Sequence, residues 1–179
     1  MERYGAGQIV VAEYDPLWPV MFEQERVRLV SALGPMVLVI EHVGSTAVPG
    51  LAAKPIIDLL VGVESLAAAR SRAIEPLVAL GYAYLPEYAS WLPDELFFRK
   101  GVPWTHHVHI MEPSGPRWRN RLLFRDYLRA HPEAAQAYAT LKRNLAAVLK
   151  DDIAAYRGAK DDFVAEVMAR AREDSGLDR

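Results

Sequence analysis

A short stretch of the chain combines a hydroxyl-rich turn with a carboxylate inside an apolar run. The turn is Gly44-Ser45-Thr46, and Asp58 follows 13 residues after Ser45. A charge in a strand costs several kcal/mol unless it is paired or solvated, so Asp58 marks a place for chemistry. Hydroxyls and amides after a glycine can bind phosphate, and a carboxylate can hold Mg²⁺. The pattern predicts a metal-bridged phosphate site, although a Gly-Ser pair alone is also typical of a helix-capping turn.

Histidines in a later segment form a second group of candidate ligands. Alternation in a strand places His107 and His109 on one face and His106 on the other, more apolar face. If the apolar face packs into the core, His107 and His109 face the cleft of Asp58, which His42 could also reach. Two or three histidines with one aspartate suit Zn²⁺, Mn²⁺, Fe²⁺ or Ni²⁺ better than Mg²⁺. The alternative is a hydrogen-bonded histidine pair on a half-exposed strand.

Several basic side chains are candidates for binding phosphate. Lys54 lies in the loop that leads to the strand of Asp58, and Arg99 lies inside an apolar strand. Arg125 belongs to a series of arginines spaced four residues apart, and Lys160 stands near the start of the last predicted helix. Each also has an ordinary structural interpretation, such as a solvated loop lysine or an arginine reaching solvent from a strand edge.

Hydrophobic periodicity predicts the elements that must position these residues. Strands are predicted for Met36–His42 and Pro55–Val63, both apolar almost throughout, as in strands covered on both faces. A helix precedes the first strand and ends at Gly34-Pro35. A helix over Glu64–Gly81 follows the second strand, with Pro76 able to kink or split it. The remaining predicted strands are Tyr82–Tyr84, Leu96–Lys100 and Thr105–Met111.

From Pro116 onward the pattern predicts helices only, with amphipathic stripes at helical spacing. The order of elements predicts an α+β fold, a mixed sheet with helices packed on one face, followed by a C-terminal α-helical subdomain. The breakers at 113–116 divide the chain into a core of residues 1–115 and a helical subdomain of residues 116–179, packed together as one compact unit.

Composition narrows the class of protein. The chain has 179 residues, 51% hydrophobic and 25% charged, which fits one globular domain. Its net charge of −2 gives no signature of a nucleic-acid binder, and the absence of cysteine excludes disulfides and thiolate zinc sites. The N-terminal residues do not resemble a signal peptide, and no apolar run approaches the ~20 residues of a membrane span. A cytoplasmic protein without a membrane partner is expected.

Four strings of the sequence resemble the GrpB family, and they extend over nearly the whole chain. They are Tyr14-Asp15-Pro16, His42–Asp58, Phe124–Leu128 and Tyr156–Lys160. The resemblance implies a nucleotidyltransferase-like fold, and some members of the family are fused to dephospho-CoA kinase. In that superfamily a Gly-Ser turn precedes two acidic residues on a strand, and a third carboxylate lies on a later strand.

Matched to that superfamily pattern, Gly44 and Ser45 are the turn and Asp58 is the first acidic residue, for which the resemblance implies a catalytic, metal-binding role. The second acidic position is Leu60, which cannot coordinate a metal, and the later predicted strands contain no acidic residue. The carboxylate cluster of an ordinary nucleotidyltransferase is therefore incomplete.

The sequence is compatible with three functions. The first is a divergent nucleotidyltransferase-like protein that binds a nucleotide or phosphorylated small molecule between the Gly44 turn and Asp58, with Mg²⁺- or Mn²⁺-dependent nucleotidyl or phosphoryl transfer. The second, motivated by Leu60, is a non-catalytic module for a nucleotide-like or CoA-like ligand. The third is a centre of Asp58 and histidines that supports hydrolysis. The sequence predicts neither the substrate nor the oligomeric state.

Overall fold

One mixed sheet of five strands forms the centre of the protein, whose computed structural model describes residues 9–150 and 152–176. The strands are β1 (Val37–Val43), β2 (Ile57–Val63), β3 (Tyr82–Tyr84), β4 (Leu96–Lys100) and β5 (His106–Met111). They lie in the order β1-β2-β5-β4-β3. The β2–β5 pair is parallel and the other pairs are antiparallel. The parallel pair places two segments that are distant in sequence side by side at the middle of the sheet.

The described residues also contain seven α-helices. They are α1 (Trp18–Leu33), α2 (Leu66–Arg72), α3 (Ile74–Ala79), α4 (Pro116–Ala130), α5 (Pro132–Leu149), α6 (Ile153–Gly158) and α7 (Asp161–Ser175). None of these helices is both long and apolar enough to cross a bilayer. Before α1, Ala12 forms an isolated antiparallel β-bridge with Ala53.

The segment predicted as one helix over residues 64–81 is two helices, α2 and α3. Ser65 caps α2, because its side chain accepts a hydrogen bond from the amide of Ala68. Pro76 stands in the first turn of α3, where a residue without an N–H group loses no helical hydrogen bond. In one continuous helix the ring of Pro76 would clash with the preceding turn, so the chain starts a new helix before it.

One face of the sheet and the helices α1, α2 and α3 enclose the main core. Leu29 and Leu77 from the helices and Leu59 and Phe98 from the strands are all fully buried in it. Each such side chain contributes roughly 1.5–3 kcal/mol on burial. Because a slip of one residue would turn every apolar side chain outward, this face fixes the register of the strands. The register in turn decides which residues reach the opposite face.

The C-terminal helices pack on that opposite face and on the turn that follows β1. Trp118 of α4 contacts Val43 and Leu60 of the sheet. Val48 and Leu51 of the turn belong to a second apolar cluster with residues of α4, α5 and α7. These contacts hold the 44–52 segment against the sheet. The α+β class is confirmed, with its five-stranded mixed sheet and C-terminal helices, whereas the division after residue 115 stays a prediction.

Candidate functional site

The parallel pairing of β2 and β5 brings Asp58 beside two histidines. The register pairs Asp58 with His107 and Leu60 with His109, so all four side chains lie on the face away from the main core. His107 Nδ1 donates a hydrogen bond to Asp58 Oδ1 at 3.0 Å, and His109 Nε2 lies 3.6 Å from the same oxygen. One ligand atom from each of the three residues lies within 4.8 Å of the others. Three of the four predicted metal ligands therefore meet.

His42, the fourth predicted ligand, lies on the core face of the sheet. It is paired with Leu59, and its ring stacks on Phe22 with the centroids 4.7 Å apart. Its Nε2 lies 3.0 Å from the hydroxyl of Thr46. Burial lowers the pKa of His42 to about 4, so the ring is neutral at pH 7. The structure does not place His42 in the group with Asp58.

Glu95 is a second carboxylate at the site, and unlike Asp58 it is fully buried; the sequence prediction missed it. Its Oε1 accepts a hydrogen bond from His109 Nδ1, and its Oε2 accepts one from Arg121 at 2.9 Å. In neutral His109 the Nδ1 that donates to Glu95 carries the proton, which leaves Nε2 as the ligand atom. Glu95 precedes β4 by one residue, so a search for carboxylates inside the strands passes over it. An acidic residue directly before an apolar strand was the available signal.

The charge state of these residues suits a cation. Burial alone would raise the pKa of Asp58, but the hydrogen bond from His107 helps to hold that pKa well below its usual range. Burial lowers the pKa of His107 despite its contact with Asp58. His107 Nε2 is buried and has no hydrogen-bond partner among the described residues. An ionised carboxylate beside neutral imidazole is the state that binds a divalent metal, and a buried nitrogen without a partner fits a missing ligand.

Gly44 lets the turn approach Asp58 closely. Its backbone has φ 73° and ψ −174°, a region that is essentially restricted to glycine. A Cβ atom at this position would overlap Asp58 Oδ2. The hydroxyl of Thr46, two residues later, donates to the carbonyl of Ile56 at 3.0 Å, which ties the turn to the segment before β2. The glycine therefore sets the position of the carboxylate.

Two cavities meet at Asp58 and His107. The larger, called the cleft here, has a volume of about 860 Å³, and its walls include Gly44, His109, Phe97, Arg121 and Phe124. The smaller, called the basic pocket here, has a volume of about 180 Å³, and its walls include Ser45, Thr46, Lys54, Tyr138, Lys142, Tyr156 and Lys160. Asp58 and His107 line both cavities. Of the predicted phosphate ligands, Gly44 thus reaches the cleft, while Ser45, Thr46 and Lys54 reach the basic pocket.

The two predicted phosphate-binding arginines lie outside both cavities. Arg125 is buried and donates to Glu41 at 2.7 Å. Arg99 is buried, donates to the hydroxyl of Tyr88 at 2.6 Å, and lies 5.0 Å from the centre of the Phe97 ring. Neither Arg99 nor Arg125 is among the described residues that line the cleft or the basic pocket. Their placement favours a structural role.

Comparison with known protein families places the chain. The family model described as GrpB protein matches residues 8–170. The chain belongs to the GrpB family. The crystal structure of conserved protein GrpB from Enterococcus faecalis has a TM-score of 0.85 with this chain at 39% identity. That match covers 93% of this chain and 99% of the Enterococcus chain. The GrpB membership and the nucleotidyltransferase-like fold expected from the sequence are confirmed.

Some GrpB relatives are much longer than this chain. The UPF0157 protein YqkA of Bacillus subtilis is 41% identical over 162 residues, which cover 90% of this chain but 46% of YqkA. A protein named dephospho-CoA kinase from Mycolicibacterium paratuberculosis is 35% identical over 181 residues, which cover 88% of this chain and 44% of that protein. This chain therefore spans less than half the length of either relative.

Proposed function

We propose that this GrpB chain binds one divalent metal ion at Asp58, His107 and His109 and hydrolyses a phosphate ester or anhydride bond in a small molecule, with water forming the new P–O bond and the alcohol or phosphate released as the leaving group. One observation carries the proposal: three ligand atoms converge within 4.8 Å where the cleft and the basic pocket meet. A cation at that point would contact a small molecule that extends through both cavities. The position thus suits a metal that acts on a bound phosphate.

The ligand set favours a single ion of borderline softness. Two imidazoles and one carboxylate suit Zn²⁺, Mn²⁺, Fe²⁺ or Ni²⁺ better than Mg²⁺. Glu95 orients His109 by accepting its Nδ1 proton, an arrangement common behind metal-binding histidines. Leu60 is fully buried against Val43 and Trp118, in the position where the superfamily carries a second carboxylate. A two-ion centre of the Mg²⁺ type therefore lacks a ligand.

The residues of the chain would divide the work of the reaction. A bound divalent ion would polarise a phosphoryl oxygen and stabilise the negative charge that develops on it. Asp58, His107 and His109 hold that ion, and Glu95 keeps His109 in the required tautomer. The aromatic wall of the cleft, which includes Phe97 and Phe124, offers an apolar surface for the organic part of the substrate.

A second candidate function is binding without chemistry. The burial of Leu60 in an apolar cluster favours it, because an apolar residue packs at the position where the superfamily pattern has its second acidic residue. In that case the cleft would hold a nucleotide-like or CoA-like molecule. The relative named dephospho-CoA kinase motivates CoA as one ligand to test.

Titration of metal-stripped protein, made without a polyhistidine tag, tests the proposal. We expect calorimetry to show one site that binds Mn²⁺ or Zn²⁺ about tenfold or more tightly than Mg²⁺, in line with the histidine ligands. The loaded protein is then assayed with phosphate monoesters, diesters, nucleoside triphosphates and CoA. Absence of saturable metal binding at millimolar concentration would overturn the proposal. Metal and ligand binding without any turnover would favour the second candidate.

Glu95→Gln is expected to weaken Mn²⁺ or Zn²⁺ binding by roughly 10–100-fold, the usual effect of losing a carboxylate behind a histidine ligand. The amide keeps the shape of the side chain but lowers the basicity of His109. Asp94→Asn serves as the matched control, because Asp94 is the neighbouring residue, is exposed, and pairs with Arg117 rather than with a histidine. Equal metal affinity of the two variants in calorimetric titration would show that Glu95 does not support the metal.

A further inference from the structure

The basic pocket gathers three lysines around two buried tyrosine rings. The Nζ atoms of Lys54 and Lys160 lie 4.5 and 4.2 Å from the centre of the Tyr156 ring. The Nζ atom of Lys142 lies 4.5 Å from the centre of the Tyr138 ring. Contacts of this kind attract an ammonium group to the face of a ring and leave its N–H groups able to bind an anion. The pocket therefore brings three positively charged groups to one small cavity.

Lys142 places its ammonium group in this pocket without a hydrogen-bond partner from the described residues. The residue is 3% exposed. An unpaired ammonium group is expensive to bury. Burial and the nearby charges of Lys160 and Arg143 accordingly lower the pKa of Lys142 to about 7. An anion in the pocket would offset that cost and would favour the charged lysine.

The pocket contains little negative charge to neutralise the lysines internally. Asp58 is the one carboxylate among the described residues that line it. Burial and the charges of Lys54 and Arg157 lower the pKa of Lys160 to about 8, which is the effect of crowded positive groups. Ser45 lines the same cavity, whereas the hydroxyl of Thr46 already donates to the carbonyl of Ile56. Ammonium groups around one small cavity are the donors that a phosphate group requires.

We propose that the basic pocket is a subsite for a single phosphate group, carried by a phosphate monoester or present as inorganic phosphate, and that Lys142 is its main determinant of affinity. The volume of about 180 Å³ lies below the roughly 300–1,000 Å³ of pockets that hold whole small molecules. The cleft, at about 860 Å³, lies within that range. The pocket thus suits one group, and the rest of the molecule extends into the cleft past Asp58 and His107.

This inference rests on the proposed function for the use made of the phosphate, but phosphate binding itself needs no metal. The test is calorimetric titration of inorganic phosphate into EDTA-treated protein at pH 7 and low ionic strength. We expect saturable binding that Lys142→Met weakens about tenfold or more, the loss of one charge-assisted hydrogen bond. Methionine keeps a similar length and removes the buried charge. Lys150→Met, an exposed lysine outside the basic pocket, should retain the wild-type affinity.

Several outcomes would overturn the phosphate subsite. These are no saturable phosphate binding by the wild type, equal affinity in Lys142→Met, or an equal loss in Lys150→Met. If Lys142→Met does not fold, Lys160→Met replaces it, and wild-type phosphate affinity in that variant counts against the subsite in the same way. Metal affinity, measured without phosphate, should be unchanged in Lys142→Met. Phosphate binding without metal binding would therefore reject the proposed function and keep the subsite. Metal binding without phosphate binding would reject the subsite and leave the proposed metal site in place.

A comparison of ligands separates the two sources of phosphate. Phenyl phosphate carries the same group as inorganic phosphate together with an apolar part that the cleft can accept. Tighter binding of phenyl phosphate, again lost in Lys142→Met, would support a phosphate monoester as the ligand. Equal binding of the two would limit the subsite to the phosphate group, and phenyl phosphate binding that is insensitive to Lys142→Met would overturn the assignment.

Discussion

His107→Ala and His109→Ala are each expected to weaken Mn²⁺ or Zn²⁺ binding by about 100-fold or more, and to abolish any metal-dependent turnover. Each change removes one of the three ligands that we propose among the described residues, and loss of a residue behind a ligand already costs about 10–100-fold. Calorimetric titration of tag-free protein measures the affinity, and elemental analysis of the purified variants checks the metal content. Circular dichroism shows whether the fold is kept.

The strand that carries these histidines also provides their control. His106 lies on the same strand but on the opposite face, where its Nδ1 is 2.9 Å from the hydroxyl of Thr105. His106→Ala changes the same type of residue one position away and should keep the wild-type metal affinity. If all three alanine variants bind metal as the wild type does, the centre is not where we place it. Loss in His106→Ala as well would indicate a general effect on β5.

Gly44→Ala is expected to lower the free energy of unfolding by about 3 kcal/mol and to abolish tight metal binding. Part of the cost is the strain of a non-glycine residue at this φ and ψ, and part is the overlap of the new Cβ atom with Asp58 Oδ2. The carboxylate must move to relieve the overlap, and it then leaves the two histidines. Urea unfolding and metal titration of the same variant measure the two effects.

Gly50→Ala separates strain from overlap. Gly50 also has a positive φ, 76°, but a Cβ atom there would meet no other atom within 4 Å. We expect Gly50→Ala to lose some stability, about 1–2 kcal/mol, and to keep its metal affinity. If Gly44→Ala binds metal as tightly as Gly50→Ala does, the close approach of the turn to Asp58 has no role in the site.

The local sequence pattern was sufficient to predict the strands and to predict which residues of a strand lie on the same face. Alternation alone put His107 and His109 on one face of β5, and the apolar partners Val108 and Ile110 fixed which face that is. The same reasoning could not place His42, because its position depends on which residue of β2 lies opposite. The register pairs it with Leu59 rather than with Asp58, and a shift of one residue reverses the face.

The sequence pattern did not predict the roles of residues whose contacts come from segments distant in the chain. Lys142 stands within an amphipathic stripe of α5, where a lysine usually extends to solvent. It is buried because α5 packs beside the turn after β1, a contact that no local pattern encodes. For Arg125 the sequence predicted a phosphate ligand, but in the structure its side chain donates a hydrogen bond to Glu41. Glu95 gains its role only from the proximity of His109.

The parallel pairing of β2 and β5 has a consequence for the growing chain. Asp58 and His107 are 49 residues apart, so at about 5–20 residues per second the ribosome completes β5 roughly 2–10 s after β2. During that interval β2 can pair with β1 but has an open edge on its other side. Apolar open edges promote aggregation, and an inward-pointing charge is one of the ways in which proteins protect them. Asp58 would then limit aggregation through the open edge of β2 before His107 and His109 have been synthesised.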